Sequence, residues 1–352
     1  MSCQLPTTAL SPMQTAPVLP VARFRLRFLP RGVLRFPDYA GSAWRGAFGH
    51  ALKRSVCVTR TKSCAACLLY RTCPYPYLFE TPPPADAAKM RRYAAAPHPW
   101  LIEIEGGMAP HSAPGTEVQL GLTLFGRAHT YLAYLIHAFA NAAQQGLGTG
   151  RTALTLVAVE QADDPAVAVW REIYRPGGTL AAVAPRVLSA PPMPAAVLIT
   201  FHTPLRLRRA ERYVRPEQFQ FSDLFGNLLR RISMLTYFHT DTPLETDFAG
   251  LTQQARAVSF SRANLQWQDW TRYSARQHTT LEMGGVMGAV ELDMRDLAPF
   301  WPYFWLGQYT HAGKGTVMGL GHYSLTAIDK LAGEDTARNV DHTCASNETC
   351  EV

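Results

Sequence analysis

No run of about 18 uninterrupted apolar residues occurs in this 352-residue chain, so a membrane-spanning helix has no support in the sequence. The N-terminal residues lack a basic segment followed by an apolar core, which removes support for a secretory signal, and the expectation is a cytoplasmic protein. Carboxylates are in deficit, with 27 Asp and Glu against 34 Lys and Arg, and the formal charge of +7 favours a polyanionic partner such as nucleic acid. Neither H-E-x-x-H nor G-x-S-x-G is present, which removes the common zinc-protease and serine-hydrolase motifs. Cysteine is sparse, at seven residues, and four of these crowd into Cys57 to Cys73 while two lie in a polar tail. That clustering suits metal binding in a reducing compartment better than a disulfide framework.

What is present reads as one pattern written twice. ARFRLRFLP alternates strictly over Ala22 to Pro30, a strand with one wet, basic face. SAWRGAFGHALKR has helical apolar spacing, with Ser42 placed to cap its N-terminus. WLIEIE and TEVQLGLTLFG read as strands, RAHTYLAYLIHAFANAAQQG as a helix and ALTLVAVE as a strand, which gives the order β-α-β-β-α-β. After an Ala- and Pro-rich linker the order repeats: AAVLITFHTPLRL, FSDLFGNLLRRISMLTYF, AVSFSRANLQWQDW, EMGGVMGAVELDM, LAPFWPYFWLGQYT and HYSLTAI. The expected architecture is α+β, two tandem ferredoxin-like domains over residues 21–177 and 196–329. Flanking them are a flexible leader over 1–20, the linker over 178–195 and a disordered tail over 330–352.

Gly307 to Leu325 (GQYTHAGKGTVMGLGHYSL) holds five glycines and one lysine. A P-loop fails here: Gly307 and Gly313 are one residue too far apart, Gly315 occupies the Ser/Thr position, and the stretch follows a helix and precedes a strand. The dinucleotide fingerprint fails too, because Gly313, Gly315 and Gly319 give G-x-G-x-x-x-G in the same inverted context. What remains is a loop whose backbone amides can approach an anionic ligand, with Lys314, His311 and Tyr309 beside it, or else a plain turn between helix and strand.

Cys57-x6-Cys64-x2-Cys67-x5-Cys73 offers four thiolates, enough to close a tetrahedral structural zinc site with no position open for catalysis; the alternative is a buried Cys57 with three incidental partners. Arg23, Arg25 and Arg27 share one side of the first strand. Arg45 lies near the first helical turn, Arg206 to Arg215 (RLRRAERYVR) carries five arginines, and RYSARQ adds Arg272, Tyr273, Arg276 and Gln277. Arginines that bind phosphates beside aromatics that stack on bases suit RNA.

Together, SAWRGAFGHALKR, the four-cysteine segment ending in CPYPYLFETPPP, RYSARQ, and GKGTVMGLGHYSL between a last helix and a last strand resemble the RAMP superfamily of CRISPR-associated proteins, and within it the precursor-RNA processing endoribonucleases. The likeness runs from about Val21 to Ile328. It implies cleavage of CRISPR repeat RNA by metal-independent attack of the 2′-hydroxyl, leaving 2′,3′-cyclic phosphate and 5′-hydroxyl ends. It further implies a glycine-rich loop (Gly313, Lys314, Gly315, Gly319, Gly321) that touches RNA, and His50 as general acid or base with Tyr39 as its partner and Lys53 as the cation on the transition state; Arg54 stands beside Lys53. The partners are then repeat RNA or its processed product, and other effector subunits. Two alternatives stay open: a RAMP-type subunit that binds RNA without cutting it, and a zinc-stapled scaffold that binds none. His311 is the reserve candidate for the chemistry, while His129, His137 and His322 read as packing or solvent-facing residues.

Overall fold

The computed structural model describes residues 16–36, 39–82, 96–104, 112–274 and 279–328. In the first half, β1 (Pro20–Pro30) leads into α1 (Ala40–Val56), followed by β2 (Trp100–Ile104), β3 (Val118–Phe125), α2 (Leu132–Gln144), β4 (Leu154–Asp164), β5 (Val167–Tyr174) and the two-residue β6 (Arg186–Val187). The second half contains β7 (Ala196–Leu205), a small hairpin of β8 (Arg208–Arg209) and β9 (Arg212–Tyr213), then α3 (Phe221–His239) and α4 (Phe248–Ala255). It continues with β10 (Arg262–Gln268), a second hairpin of β11 (Thr271–Ser274) and β12 (Thr279–Glu282), then β13 (Gly285–Asp293), α5 (Trp301–Thr310) and β14 (Tyr323–Ala327).

The first sheet runs β2-β3-β1-β4-β5 and the second β10-β13-β7-β14, with every pairing antiparallel. Both therefore place the first and third strands of a β-α-β-β-α-β unit side by side at the centre, the ferredoxin-like arrangement, twice. Alternation decides which face each sheet buries. Phe24, Leu26 and Phe28 of β1 pack under the helices, where Phe28 meets Trp44 at 5.0 Å and Phe48 stacks on Phe139 at 4.3 Å. Ile199 and Phe201 of β7 do the same beneath Phe221, Phe225 and Phe304.

The halves are not two separate cores joined by a thread. Leu19, Val21, Leu101 and Phe125 belong to the second core, and Val317, Met318 and Leu320 from the glycine-rich stretch belong to the first. Each half thus completes the other's burial, and this seam organises the candidate site.

Several sequence expectations shift. Leu19, inside the supposed leader, is fully buried; residues 1–15 and the tail from 329 onward lie outside the described residues. The linker lies along the first sheet: Gln161 exchanges two hydrogen bonds with Val183, and β6 pairs with β1. β5 and α4 are additions that the two-copy pattern does not contain. α1 begins at Ala40, not Ser42, and has no side-chain cap, because its first turn is fixed by packing against the glycine-rich stretch.

Candidate functional site

The glycine-rich stretch leaves α5 at His311 and crosses to the first half. A Cβ on Gly41, in the first turn of α1, would stand 2.0 Å from the carbonyl oxygen of Met318, so only glycine admits this approach. That carbonyl faces the positive end of the α1 dipole, a favourable pairing. Gly313, Gly315, Gly319 and Gly321 all have positive φ, between 70° and 91°. Most amides of the loop serve the fold. Gly313 N donates to Asn227 Oδ1, Lys314 N to Arg206 O, Gly319 N to Thr316 O and Gly321 N to Pro204 O. Four of the five loop amides are therefore occupied within the fold, and Gly319 and Gly321 are buried; Lys314 alone among the five named loop residues is exposed.

Tyr39 lies beneath this loop. It is 3% exposed, packs 5.3 Å from Trp270, and a Cβ on Gly319 would stand 2.6 Å from its hydroxyl. Burial, reinforced by the Glu103 charge, pushes the phenol pKa far upward. His50 is exposed, eleven residues further along the same helix, which is about 16 Å at the helical rise. The structure thus keeps Tyr39 apart from His50 and holds it as a neutral packing group.

His50 does share its surface with Lys53, one turn on. Beside them Arg45, Gly49 and Lys53 form one helical stripe, and the five-residue π-helical turn Pro76–Glu80 lies across it. A Cβ on Gly49 would stand 2.4 Å from Phe79, so the absence of a side chain there lets the ring lie on the helix. Phe79 stacks on Tyr75 at 5.4 Å, Arg45 covers Phe79 at 4.6 Å, and Lys53 Nζ stands 5.5 Å from the Tyr75 ring. Arg54 turns away to Gln145.

Cys57, Cys64, Cys67 and Cys73 line one cavity of about 20 Å³ at the end of α1. Cys67 shares a 3.3 Å hydrogen bond with Thr59, which lowers its pKa, whereas burial and the Glu80 charge raise that of Cys64. Among the described residues no three His, Cys, Asp or Glu side chains stand in metal-holding geometry. The four thiols are the donor type that suits zinc, and all four line the one cavity.

The open faces of the two sheets meet in a cleft of about 450 Å³ lined by Arg23, Arg25, Glu103, Trp170, His202, His311 and His322. Strand register builds it. His202 in β7 donates its backbone N–H to His322 O, which sets the two imidazoles 5.0 Å apart, and His322 in turn stacks on His311 at 4.9 Å. His311 is fully buried, with Nδ1 on Leu320 O and Nε2 without a partner. Burial lowers the pKa of all three histidines, and His322 further lowers that of His311. Burial opposes ionisation of Glu103, but Arg23, His311 and His322 outweigh it and hold the carboxyl down at about 2.

The arginine face of β1 is real but largely compensated. Arg23 binds Glu103 at 3.2 Å, Arg27 bridges Glu117 and Glu160, and Arg25 stacks on Trp170 at 4.1 Å. The Arg206 to Arg215 run is similarly occupied: Arg206 is buried against Gly284 O and Tyr213, Arg209 binds Asp223, and Arg215 stacks on Trp267 at 3.8 Å. The backbones of Arg272 and Tyr273 lie in β11, while Arg276 and Gln277 fall outside the described residues. Sequence reasoning missed His202, Trp170 and Glu103 as cleft residues. A faint signal existed in His202, which stands after apolar Phe201 and before Thr203 in a strand, but its pairing with His322, just before β14, depends on register.

The two β-α-β-β-α-β units, with a glycine-rich loop clamped across their seam, make a doubled ferredoxin-like fold. Residues 199–323 match the family model of the CRISPR-associated endoribonuclease Cas6, and residues 19–186 match a family model described as an N-terminal domain. Among solved structures, a Thermus thermophilus Cas6 in its product complex aligns with a TM-score of 0.54 at 17% identity, covering 87% of this chain and 99% of that one. A partial Cas6-RT-Cas1–Cas2 complex aligns with a TM-score of 0.52 at 14% identity, covering 90% of this chain and 48% of the other. No match was found among curated proteins. Residues 199–323 therefore carry the match to a Cas6 endoribonuclease domain, and the chain as a whole shares the fold of the solved Cas6 structures. Among the described residues no helix is long and apolar enough to cross a membrane.

Proposed function

We propose that this chain cuts CRISPR repeat RNA by metal-independent transesterification. A base removes the proton of a 2′-hydroxyl, the 2′-oxygen attacks the adjacent phosphorus, and the bond from phosphorus to the 5′-oxygen breaks as that oxygen takes up a proton. The products carry a 2′,3′-cyclic phosphate and a 5′-hydroxyl. His50 serves as the acid or base, and Lys53 offsets the charge that builds on phosphorus. The observation that carries this reading is that His50 is solvent-exposed on α1 with a lysine one turn away and no carboxylate among residues 39–79. Tyr39 acts through the fold, by seating the glycine-rich loop on α1.

A second placement of the chemistry has its own support. His202 and His322 stand 5.0 Å apart beside Arg23 and Arg25, so the cleft also holds imidazoles near cations. Single-turnover assays of His50→Ala and His202→Ala separate the two placements. We further propose that Cys57, Cys64, Cys67 and Cys73 hold one structural zinc, which would fix the segment after α1 and take no part in the reaction.

The end groups test the chemistry. A 5′-fragment whose new 3′-end resists periodate until it is treated with acid and phosphatase, with a 3′-fragment that polynucleotide kinase labels directly, is the expected result. A 3′-hydroxyl with a 5′-phosphate would overturn the reading.

A further inference from the structure

The cleft between the open sheet faces holds bonding capacity that chemistry at His50 does not use. His311 is fully buried in its wall, where Nδ1 donates to Leu320 O and Nε2 is left as an acceptor with no partner among the described residues. Trp170 Nε1 and Gln119 Oε1, on the same walls, are buried and unpartnered as well. Buried polar atoms without partners are uncommon, so three of them on one cleft of about 450 Å³ point to a ligand that supplies the missing bonds.

Charge narrows the class of that ligand. Arg25 lies on the Trp170 ring at 4.1 Å and forms no ion pair among the described residues. Glu103 is the one carboxylate among the described residues that line the cleft, and it already accepts from Arg23 at 3.2 Å and from the Thr123 hydroxyl at 3.0 Å. An anion is therefore favoured, and a phosphate is the anion that arginines hold best. Yet a phosphodiester brings acceptors and no donor, while neutral His311 also offers only an acceptor at Nε2. The two fit when an imidazole supplies a proton of its own.

His322 stacks on His311 at 4.9 Å and stands 5.0 Å from His202, so charge on one ring disfavours charge on the next and the column accepts one proton more readily than two. Facing the column are Glu103 from β2, Arg23 and Arg25 from β1, and Arg231 from α3, whose Nε donates to Thr310 O beside His311. The carboxyl is held down at about 2 and the guanidiniums stay charged, which leaves the imidazoles to titrate between pH 5 and 8. In the empty cleft, burial keeps all three neutral; a bound phosphate shifts that balance toward the charged form.

We infer that the cleft holds a phosphodiester of the RNA and takes up a proton on the His311–His322 pair as it fills. The inference rests on the RNA-processing reading and adds a proton to the binding step, so that RNA is held more tightly as pH falls.

The test is isothermal titration calorimetry of the full chain at pH 7 in two buffers of different ionisation enthalpy, with a single-stranded RNA tetranucleotide and, separately, inorganic phosphate. The expected result is uptake of about half a proton to one proton per bound RNA, with an affinity that rises about three- to ten-fold per pH unit from pH 7.5 to 6.5. His311→Gln and His322→Gln keep a polar side chain that cannot charge, and each should lose at least half of the uptake. His137→Gln, on the exposed side of α2, should retain it. Because His311 is fully buried, circular dichroism checks that its variant is folded, and His322→Gln, at a half-buried site, carries the test if it is not. RNA bound without proton uptake, or with wild-type uptake in both variants, overturns the inference while leaving RNA processing standing. Uptake with inorganic phosphate and none with RNA overturns it too, since the cleft would then be a free-ion site. Failure of the wild type to bind or cut repeat RNA overturns both readings.

Discussion

Gly41 against Met318 is one of two backbone approaches between the halves that a Cβ would close to 2.0 Å, Gly126 against His239 being the other, and alanine tests it directly. A Cβ at residue 41 would lie 2.0 Å from Met318 O and 2.7 Å from the Tyr39 ring, where side-chain contacts are at least 3.0 Å. Both sides of the first clash are backbone, so relief requires α1 or the glycine-rich loop to move by about 1 Å, with a cost of about 1–3 kcal/mol for a crowded, close-packed contact. Gly46 provides the control within the same helix. Its Cβ would meet nothing within 4 Å, so Gly46→Ala should gain roughly 0.5–1 kcal/mol from reduced backbone entropy. Urea unfolding followed by far-ultraviolet circular dichroism should therefore move the two variants in opposite directions. Equal stabilities, or a Gly41→Ala variant as stable as wild type, would refute the docking of the loop on α1.

The remaining predictions concern protons and metal. His239 is buried, with Nε2 donating to Pro97 O at 2.8 Å and Nδ1 bonded to the Tyr77 hydroxyl at 3.2 Å, and burial holds its pKa down at about 4. The unfolded chain takes up a proton near 6.5 that the native state refuses, so this contribution is present above that pH and is lost as pH falls from 6.5 toward 4, at up to about 1.4 kcal/mol per pH unit. His239→Gln should flatten the stability profile in that window by one proton, and an unchanged slope there would contradict the burial argument. Elemental analysis of the purified chain should find one zinc per molecule, reduced to none in Cys64→Ser/Cys67→Ser with a lower unfolding midpoint; a metal-free wild type of unchanged stability in chelator would remove the zinc proposal.

How much of this was legible in sequence depended on range. Alternation in ARFRLRFLP and helical spacing in SAWRGAFGHALKR are local signals, and both elements formed, because Phe24, Leu26 and Phe28 on one side and Trp44 and Phe48 on the other can face one core in only one way. The glycine-rich loop lies between α5 and β14 as expected, but which of its amides the fold would occupy was not legible. Whether an amide is free or bonded to Arg206 O or Pro204 O depends on residues about a hundred positions away. Tyr39 fared similarly. Its burial under Gly319 follows from the packing of two halves, which no periodicity encodes. The partners of Arg23 and Arg27 were hidden for the same reason, as Glu160 lies on the neighbouring β4, Glu117 just before β3, and Glu103 reaches over β3 from β2.

The most direct test of the proposed activity is single-turnover cleavage of a labelled repeat hairpin in excess EDTA, with wild type beside His50→Ala and His202→Ala and with binding measured in the same samples. The account predicts that wild type and His202→Ala cut, and that His50→Ala binds within two-fold of wild type but cuts about a hundred-fold or more slowly, the usual size of a general acid-base contribution. Cleavage by His50→Ala at the wild-type rate, or binding without cleavage by the wild type, would contradict it.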